Sequence, residues 1–461
     1  MPPSRGRLLI GGLRGSSGKT ALTLGLIGAF ARRGLAVTAF KKGPDYIDAA
    51  WHALATGNPC YCLDVFMMGA DKVQRQYASK LPDSGIAVIE GNRGLFDGVD
   101  RSGSFSTAEL AKLLRAPVIL VVDITKMTRT AAALVLGCQR LDPELDLRGI
   151  VLNMVAGERH GTVAAAAIED ATGIPVLGSI PRLAGLRAPE RHLGLVTVEE
   201  TPDALSRFRS IAAGMEGRLD VDRIIDIAYA APDAPCPAPP SPAGWRSPHP
   251  VKIGVIRDSA FPFYYPENLE ALTEAGAELV WIRALDDAEL PEIDALYIGG
   301  GFPETHGSLL AGNHRFRDSL RRAANDGLPI YAECGGTVYL GRKLYYQGER
   351  FNMAGVLPLD FEFCPRPQGH GYTQWRVDRE NPFYPVGSLI RGHEFHYTRV
   401  REWDPGLGSI CSVERGVGFP GRREGVVIGN VAAFYGHIHA LGCEIWARGL
   451  VEAAVRRRAR E

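Results

Sequence analysis

Two short stretches of the chain combine reactive residue types at spacings that chemistry can use. The first is RGSSGKT, residues 14–20. Gly15 and Gly18, with the small Ser16 and Ser17 between them, let backbone N–H groups approach phosphate oxygens closely. Lys19 would reach the β- and γ-phosphates of a nucleotide, and the Thr20 hydroxyl would hold Mg²⁺. The strict pattern G-x-x-x-x-G-K-[ST] is not met, because position 13 is Leu. The second is YAECGG, residues 331–336. Cys334 follows an apolar run and precedes two glycines, which suits a tight strand-to-helix turn that holds a nucleophile among backbone N–H groups. A helix N-terminus beside it favours the thiolate. Downstream, YGHIH (435–439) offers His437 as general base, with His439 its competitor. Gly300 and Gly301 of YIGGGFPE, together with Gly335, are candidate oxyanion-hole donors, each worth roughly 3 kcal/mol.

Carboxylates recur where apolar runs end. Asp45 and Asp48 lie in KKGPDYID, Glu90 ends IAVIE, Asp97 lies in EGNRGLFDG and Asp123 ends VVD. Ligands of doubly wound sheets bind beyond the carboxyl ends of the strands, and Mg²⁺ takes hard oxygen ligands while keeping several waters. Thr20 with one or two of these acids would suffice. By residue type alone, Asp48 and Asp97 read as helix-cap or turn residues. RGHEFHY (391–397) suits a structural hydrogen-bond network as well as it suits substrate contact, and ERHLGL (190–195) suits a plain turn. The lone C-x-C of Cys60 and Cys62 has no second pair and predicts no zinc site.

The elements that must position these residues follow from the apolar pattern. Runs at 7–12, 35–40, 86–91, 117–123, 149–155 and 175–180 are rich in Val, Ile and Leu without clean alternation. Parallel strands covered on both faces look like this. Helix-length segments between them predict an α/β doubly wound sheet. Residues 232–250, PDAPCPAPPSPAGWRSPHP, carry too much proline for a helix or central strand and read as an extended linker. A fresh set of strands is expected near 251–256, 278–282, 294–299 and 329–333. The sequence therefore divides into a nucleotide domain over 1–231, a linker over 232–250 and a thiol domain over 251–461. A chain of 461 residues exceeds one ordinary core.

Lys plus Arg and Asp plus Glu both total 52, so charge gives no footprint for nucleic acid. The basic run 456–460 reads as a solvated helix end. No run approaches the roughly 18 apolar residues of a membrane span, and the N-terminus lacks a secretory signal. Eight scattered cysteines fit a reducing cytoplasm.

The phosphate loop resembles the deviant loops of dethiobiotin-synthetase-like and ParA-like ATPases, with Arg14 where the ParA group carries a signature lysine. Across nearly the whole chain, RGSSGKT, FKKGPDYID, EGNRGLFDG, PVILVVD, GIVLN, PERHLGLV, YIGGGFPE, YAECGG, RGHEFHY and AAFYGHIHA occur in order. Together they resemble the cobyrinic acid a,c-diamide synthases. That resemblance implies a dethiobiotin-synthetase-like domain joined to a class I-type, flavodoxin-like glutamine amidotransferase domain. It implies two ATP-dependent amidations, of the a and c acetates of a corrin, with L-glutamine as nitrogen donor. Lys19, Thr20, Asp45 and Glu90 would serve ATP–Mg²⁺, and Asn153 the adenine. Asp48 and Asp97 would lie near the substrate carboxylate, with Cys334 the nucleophile and His437 its partner. A homodimer is among the assemblies it allows. Two departures are visible. EGNRGL stands where many members read EGVMGL, which adds Asn92 and Arg93 near the acid and points to hydrogenobyrinic acid or a sirohydrochlorin as alternative rings. Position 439 is His where ordinary class I glutaminases carry Glu, so His437 is expected to lack a carboxylate orienter and resting glutaminase activity to be slow. A ParA-like switch ATPase with a vestigial glutaminase domain is the alternative of another class.

Overall fold

The computed structural model describes residues 5–81, 84–182, 190–191, 194–235, 237, 245–403 and 406–460. The chain forms two compact units, Met1–Val65 with Gly69–Pro239 and Phe66–Met68 with Pro240–Glu461. Of the proline-rich 232–250 segment, residue 236 and residues 238–244 lie outside the described residues.

The N-terminal unit is built on seven strands: β1 (Arg5–Gly12), β2 (Val37–Lys42), β3 (Tyr61–Leu63), β4 (Gly85–Glu90), β5 (Val118–Asp123), β6 (Leu147–Val155) and β7 (Val176–Pro181). They lie in the order β3-β2-β4-β1-β5-β6-β7 and every pairing is parallel. Leu8, Leu9 and Ile10 on β1 and Val118–Val122 on β5 are wholly buried. Consecutive strand residues face opposite sides, so both faces are covered and no alternation survives in the sequence. The order places the ends of β1, β2, β4, β5 and β6 along one sheet edge. Two expectations needed adjustment. Tyr61–Leu63 is too short to stand out by pattern, and β2 runs two residues past the apolar stretch, through Lys41 and Lys42. Of 190–195, β8 (Glu190–Arg191) and β9 (Gly194–Leu195) pair as an antiparallel ribbon, and the remainder lies outside the described residues.

The C-terminal unit opens with β10 (Val251–Ile256), β11 (Ala277–Ile282), β12 (Ala295–Ile298) and β13 (Ile330–Glu333). These are the four expected strands, within a residue of their predicted limits. The aromatic-rich remainder folds as β14 (Lys343–Tyr346), β15 (Glu349–Asn352), β16 (Asp360–Phe363), β17 (Gly369–Val377), β18 (Leu389–His396), β19 (Thr398–Val400), β20 (Ser409–Arg415), β21 (Arg423–Ile428), β22 (Val431–Phe434) and β23 (His437–Ile438). One ten-stranded sheet runs β11-β10-β12-β13-β22-β21-β20-β17-β18-β23. It is parallel from β11 to β22 and antiparallel beyond. A second sheet, β15-β14-β16-β19, lies within the same unit. Trp375, Trp446, Tyr297, Tyr331 and Phe434 pack in one core on this large sheet. Truncating one such aromatic typically costs about 3–5 kcal/mol, so the sheet that carries the thiol is anchored by bulk as well as by its ladder. No helix among the described residues is long and apolar enough to cross a membrane, and the described cysteines are free thiols.

Candidate active sites

In the N-terminal unit, β1 ends at Gly12 and the loop turns into α1 (Lys19–Arg32) through Gly18, whose φ of 99° lies in the left-handed region. Glycine is needed there twice over, because a Cβ would also fall 2.2 Å from Asn153 Nδ2. No side chain caps α1, and no acid stands in its first turn. The first N–H groups of a helix have no intrahelical partner and carry the positive end of its dipole. Ser17 Oγ is buried with no hydrogen-bond partner. An uncapped helix start beside an unsatisfied hydroxyl suits an anion. Asn153, at the end of β6, braces this loop: its Nδ2 donates to Ser17 O at 2.8 Å and its Oδ1 accepts from Met154 N at 2.9 Å. One amide N–H and one oxygen lone pair remain for other contacts.

Lys19 Nζ donates to Arg14 O at 3.0 Å and to Arg93 O at 2.8 Å, tying the loop to the EGNRGL segment. Burial and the nearby Lys41 charge push its ammonium below the usual lysine value. Thr20 Oγ1 donates to Glu90 Oε1 at 2.9 Å. That separation is the edge of an octahedron with bonds of about 2.0–2.1 Å, so Thr20 and Glu90 fit as neighbouring ligands of a small divalent cation. Asp45 lies on the same side of the cluster, 3.5 Å from Lys41 Nζ, and its Oδ1 accepts from Asp48 N at 3.0 Å.

Lys41 holds this acidic cluster together and sequence reasoning missed it. Its buried Nζ lies 2.6 Å from Asp48 Oδ2 and 2.7 Å from Glu90 Oε1. Burial works against its charge, yet Asp48, Glu90 and Asp45 raise the ammonium well above its ordinary value. Burial alone would raise the Glu90 carboxyl, but Lys41 and His52 outweigh it and hold it well below the usual range. His52, buried on α2 (Ile47–Thr56), places Nε2 at 2.8 Å from Glu90 Oε2 and was also missed. Asp48 goes the other way: burial and the Asp45 charge push it well up despite Lys41. The Lys41 ammonium thus lies against all three carboxylates. The signal for Lys41 lay in FKKGPDYID, where a lysine closes an apolar strand that the sheet buries.

The other expected acids have contacts of their own. Asp97 Oδ2 accepts from Gly94 N at 3.0 Å and so closes its own turn, as its residue type suggests. Asp123 pairs with Arg14 at 2.8 Å and accepts from Thr125 N and Oγ1 at 2.9 and 2.6 Å. Asn92 spends its Oδ1 on Arg93 N, at 2.9 Å. Arg93 itself has a φ of 52°, turning its carbonyl toward Lys19.

In the C-terminal unit, β13 ends at Glu333 and Cys334 caps the helix Gly335–Leu340 with φ 46° and ψ −104°. A non-glycine residue in that region is strained by about 1–3 kcal/mol. The tight turn has no room for side chains nearby, since a Cβ on Gly335 would lie 2.8 Å from Gly301 N and one on Gly336 2.7 Å from Ile298 O. The strain is held by Cys334 N donating to Phe434 O at 2.7 Å and by Thr337 Oγ1 donating to the same carbonyl at 2.6 Å. Gly301 and Gly335 therefore bring their backbones together beside the thiol. Gly300 faces His437, and a Cβ there would lie 2.4 Å from His437 Cε1. Tyr264, absent from the sequence reading, pins this glycine run by accepting from Gly299 N at 2.7 Å and donating to Ile256 O.

Cys334 Sγ donates to Phe395 O at 3.9 Å, and the imidazole that the thiol helps to raise is that of His437. His439 does not compete for the thiol: its Nε2 lies 3.5 Å from Glu267 Oε1 and its Nδ1 accepts from Leu441 N at 3.3 Å. The expectation that His437 lacks a carboxylate neighbour is corrected here. His437 Nδ1 lies 3.3 Å from Glu333 Oε2, on the residue just before the thiol. The usual carboxylate position is vacated at 439, but a strand end supplies another. Burial disfavours the imidazolium, but Cys334 and Glu333 outweigh it and push His437 up to about 10. RGHEFHY divides in role. Glu394 accepts from Val417 N and Gly418 N at 2.6 and 3.0 Å, and His396 stacks on Tyr435, so these two belong to a structural network. His393 instead stacks on His437 at 4.8 Å and bonds Tyr265 OH at 2.9 Å.

A parallel sheet with an uncapped phosphate-type loop, and a second sheet with a strained thiol beside an imidazole, describe a nucleotide-binding unit and a glutamine amidotransferase unit. Family comparison agrees on both. Residues 8–196 match the CobQ/CobB/MinD/ParA nucleotide binding domain, and residues 252–444 match the CobB/CobQ-like glutamine amidotransferase domain. The cobyrinate a,c-diamide synthase of Magnetococcus marinus is 44% identical over 452 residues, covering 97% of both chains. That of Archaeoglobus fulgidus is 39% identical over 463 residues, covering 99% of each. That of Dehalococcoides mccartyi is 40% identical over 446 residues, covering 94% of this chain and 95% of its own. The chain belongs to the cobyrinate a,c-diamide synthase family, whose members are glutamine-dependent amidoligases.

Proposed function

We propose that the chain carries out the ATP- and glutamine-dependent amidation of the a and c acetate carboxylates of cobyrinic acid, through acyl phosphates, in cobalamin biosynthesis. The observation that carries this reading is the thiol of Cys334 at a strained elbow, beside the imidazole of His437. It stands on the same chain as an uncapped phosphate-type loop. The names of the full-length relatives support the substrate.

A carboxylate resists ammonia because oxide is a poor leaving group. Transfer of the γ-phosphoryl group to the acid makes phosphate the leaving group instead. The N–H groups that open α1 and the Lys19 ammonium bind the phosphates and offset the charge that gathers on the transferred group. Mg²⁺, held by Thr20 and Glu90 with Asp45 beside them, supplies further charge neutralisation at the phosphates when bound. Lys41 keeps Glu90 ionised for that role and holds Asp48 at 2.6 Å, where Asp48 would lie near an incoming carboxylate. Asn153 holds the loop from the side and keeps donor capacity for a purine. In the other unit, His437 holds the proton of Cys334 as an imidazolium, and Sγ attacks the glutamine amide carbon as the thiolate. The developing oxyanion meets the N–H groups near Gly300, Gly301 and Gly335. His437 then returns the proton to the leaving nitrogen as the C–N bond breaks, and water hydrolyses the thioester. The ammonia attacks the acyl phosphate and displaces phosphate.

The test is ATP-dependent amidation by the purified full chain, read by mass spectrometry. Cobyrinic acid, hydrogenobyrinic acid and sirohydrochlorins with and without nickel would each be supplied with glutamine. A two-amide product from cobyrinic acid supports the reading, and preference for another ring replaces the substrate while keeping the chemistry. ATP hydrolysis with no amide from any ring overturns it in favour of a switch ATPase.

A further inference from the structure

Position 439, two residues beyond the base, carries His439, which is turned toward Glu267 and has its Nδ1 satisfied by Leu441 N. Whatever orients His437 must come from elsewhere. Glu333 is the one carboxylate that the described residues place against its ring. It is buried at the end of β13, and each of its oxygens is fixed from outside the pair. Oε1 accepts from Ile438 N at 3.2 Å, and Oε2 accepts from Tyr297 OH at 3.1 Å while lying 3.3 Å from His437 Nδ1. Tyr297 is itself wholly buried and bonded by Asn268 Nδ2 at 3.4 Å, and Asn268 Nδ2 also reaches Ile438 O at 3.0 Å. A carboxylate held by two donors besides the imidazole, one on each oxygen, cannot swing away, so Nδ1 must present a proton to it and Nε2 is left for the thiol.

We propose that Glu333 is the positioning carboxylate of this glutaminase: donated by the residue immediately preceding the nucleophile, it fixes the tautomer of His437 and stabilises its protonated form. Thiol, base and orienter then come from two adjoining segments, the β13 elbow and β23, rather than from a base and an acid two residues apart. The inference rests on the assignment of Cys334 and His437 above and deepens it. The titratable groups that face His437 are Cys334 and Glu333 on the elbow, His393 on β18 and His439 on its own segment. Burial and its imidazole neighbours hold His393 well below the usual histidine value, and it brings no negative charge in either form. Glu333 is thus the source of negative charge on the Nδ1 side.

The experiment is the pH profile of glutamine hydrolysis by the full-length Glu333→Gln variant. Loss of the charge lowers the pH at which His437 gives up its proton. The alkaline limb should therefore move down by about one unit or more, since a neighbouring opposite charge shifts a pKa by roughly 1–3. The rate constant kcat should fall about 10²-fold or more, as expected for a misdirected imidazole tautomer, with KM for glutamine little changed. Glu333→Asp keeps the charge and should restore the limb to within about half a unit of wild type, at a reduced rate. A purely structural role would lower amplitude in both variants without moving the limb, and that result overturns the proposal. Should the glutamine variant fail to fold, the aspartate variant carries the test, because a limb displaced by a full unit despite the retained charge overturns it equally. Cys334→Ala run in parallel separates the two levels. Residual glutaminase in that variant sinks the nucleophile assignment, whereas an inactive Cys334→Ala beside an unshifted Glu333→Gln sinks the role of Glu333 alone.

Discussion

Replacing Lys41 with methionine removes the cation that lies against all three carboxylates of a buried knot while keeping the side chain's bulk. In the folded protein its Nζ lies 2.6, 2.7 and 3.5 Å from Asp48, Glu90 and Asp45. Removing one partner of a buried ion pair typically costs about 3–5 kcal/mol, because the other charge stays buried without compensation. For a unit of this size each kcal/mol lowers Tm by about 2–4 °C, so the N-terminal transition should fall by about 6–20 °C. The pH dependence gives a sharper check. In the wild type, Glu90 titrates below its unfolded value, so its stabilisation is complete above about pH 4–5 and is lost only as pH falls through the lowered value. Without Lys41, burial raises the Glu90 carboxyl with less charge to oppose it, so the deficit should shrink as pH falls from about 7.5 toward 5. Calorimetry of the full chain at several pH values reads this directly, with the two units' transitions compared separately because a two-domain chain does not melt in one step. A loss below about 1 kcal/mol, or a deficit that stays constant across that range, refutes the reasoning. Adding Glu90→Gln to Lys41→Met should recover part of the loss.

Four further outcomes are expected. Cys334→Ala should abolish glutamine-dependent amidation yet leave the ammonia-dependent reaction largely intact; equal loss of both, measured by product mass, would count against separate sites. Lys19→Ala should stop amidation from either nitrogen source, and substantial turnover would remove the loop assignment. Gly300→Ala would set a Cβ 2.4 Å from His437 Cε1. It should cut glutamine hydrolysis by about 10²-fold or more while the ammonia reaction continues, and a normal glutaminase rate would show that His437 has room to spare. Glu424, buried and pushed up to about 8 by loss of solvation, is neutral in the fold but ionises when unfolded. Its folded pKa lies above its unfolded one, so this acid destabilises progressively from about pH 4.5 to 8. Glu424→Gln should therefore gain stability over wild type as pH rises through that interval, and a flat difference in Tm would contradict it.

The sequence disclosed what depends on local chain chemistry. Apolar runs without alternation marked β1, β4, β5 and β6 because buried parallel strands need such residues on both faces. Glycines marked the phosphate loop and the elbow because those turns admit little else. What it hid depends on neighbours distant in the chain. Lys41 reads as a surface lysine until β4 brings Glu90 to its side, 49 positions away. Glu333 reads as a strand-end charge until β23 lays His437 against it, 104 positions on. The antiparallel half of the large sheet was illegible for a similar reason, as its aromatic residues serve cores on both faces and leave no period. Asp97 shows the reverse case, since its residue type already announced the turn that it closes.

The left-handed backbone of Cys334 sets two demands against each other at one position. Glycine would occupy that geometry without strain, so selection for a sturdier fold alone would install it there. Under the proposed chemistry, the need for nitrogen drawn from glutamine is what holds the thiol there. A lineage that came to live on free ammonia would lose that restraint, and the codon for residue 334 is where its genome would first record the change of diet.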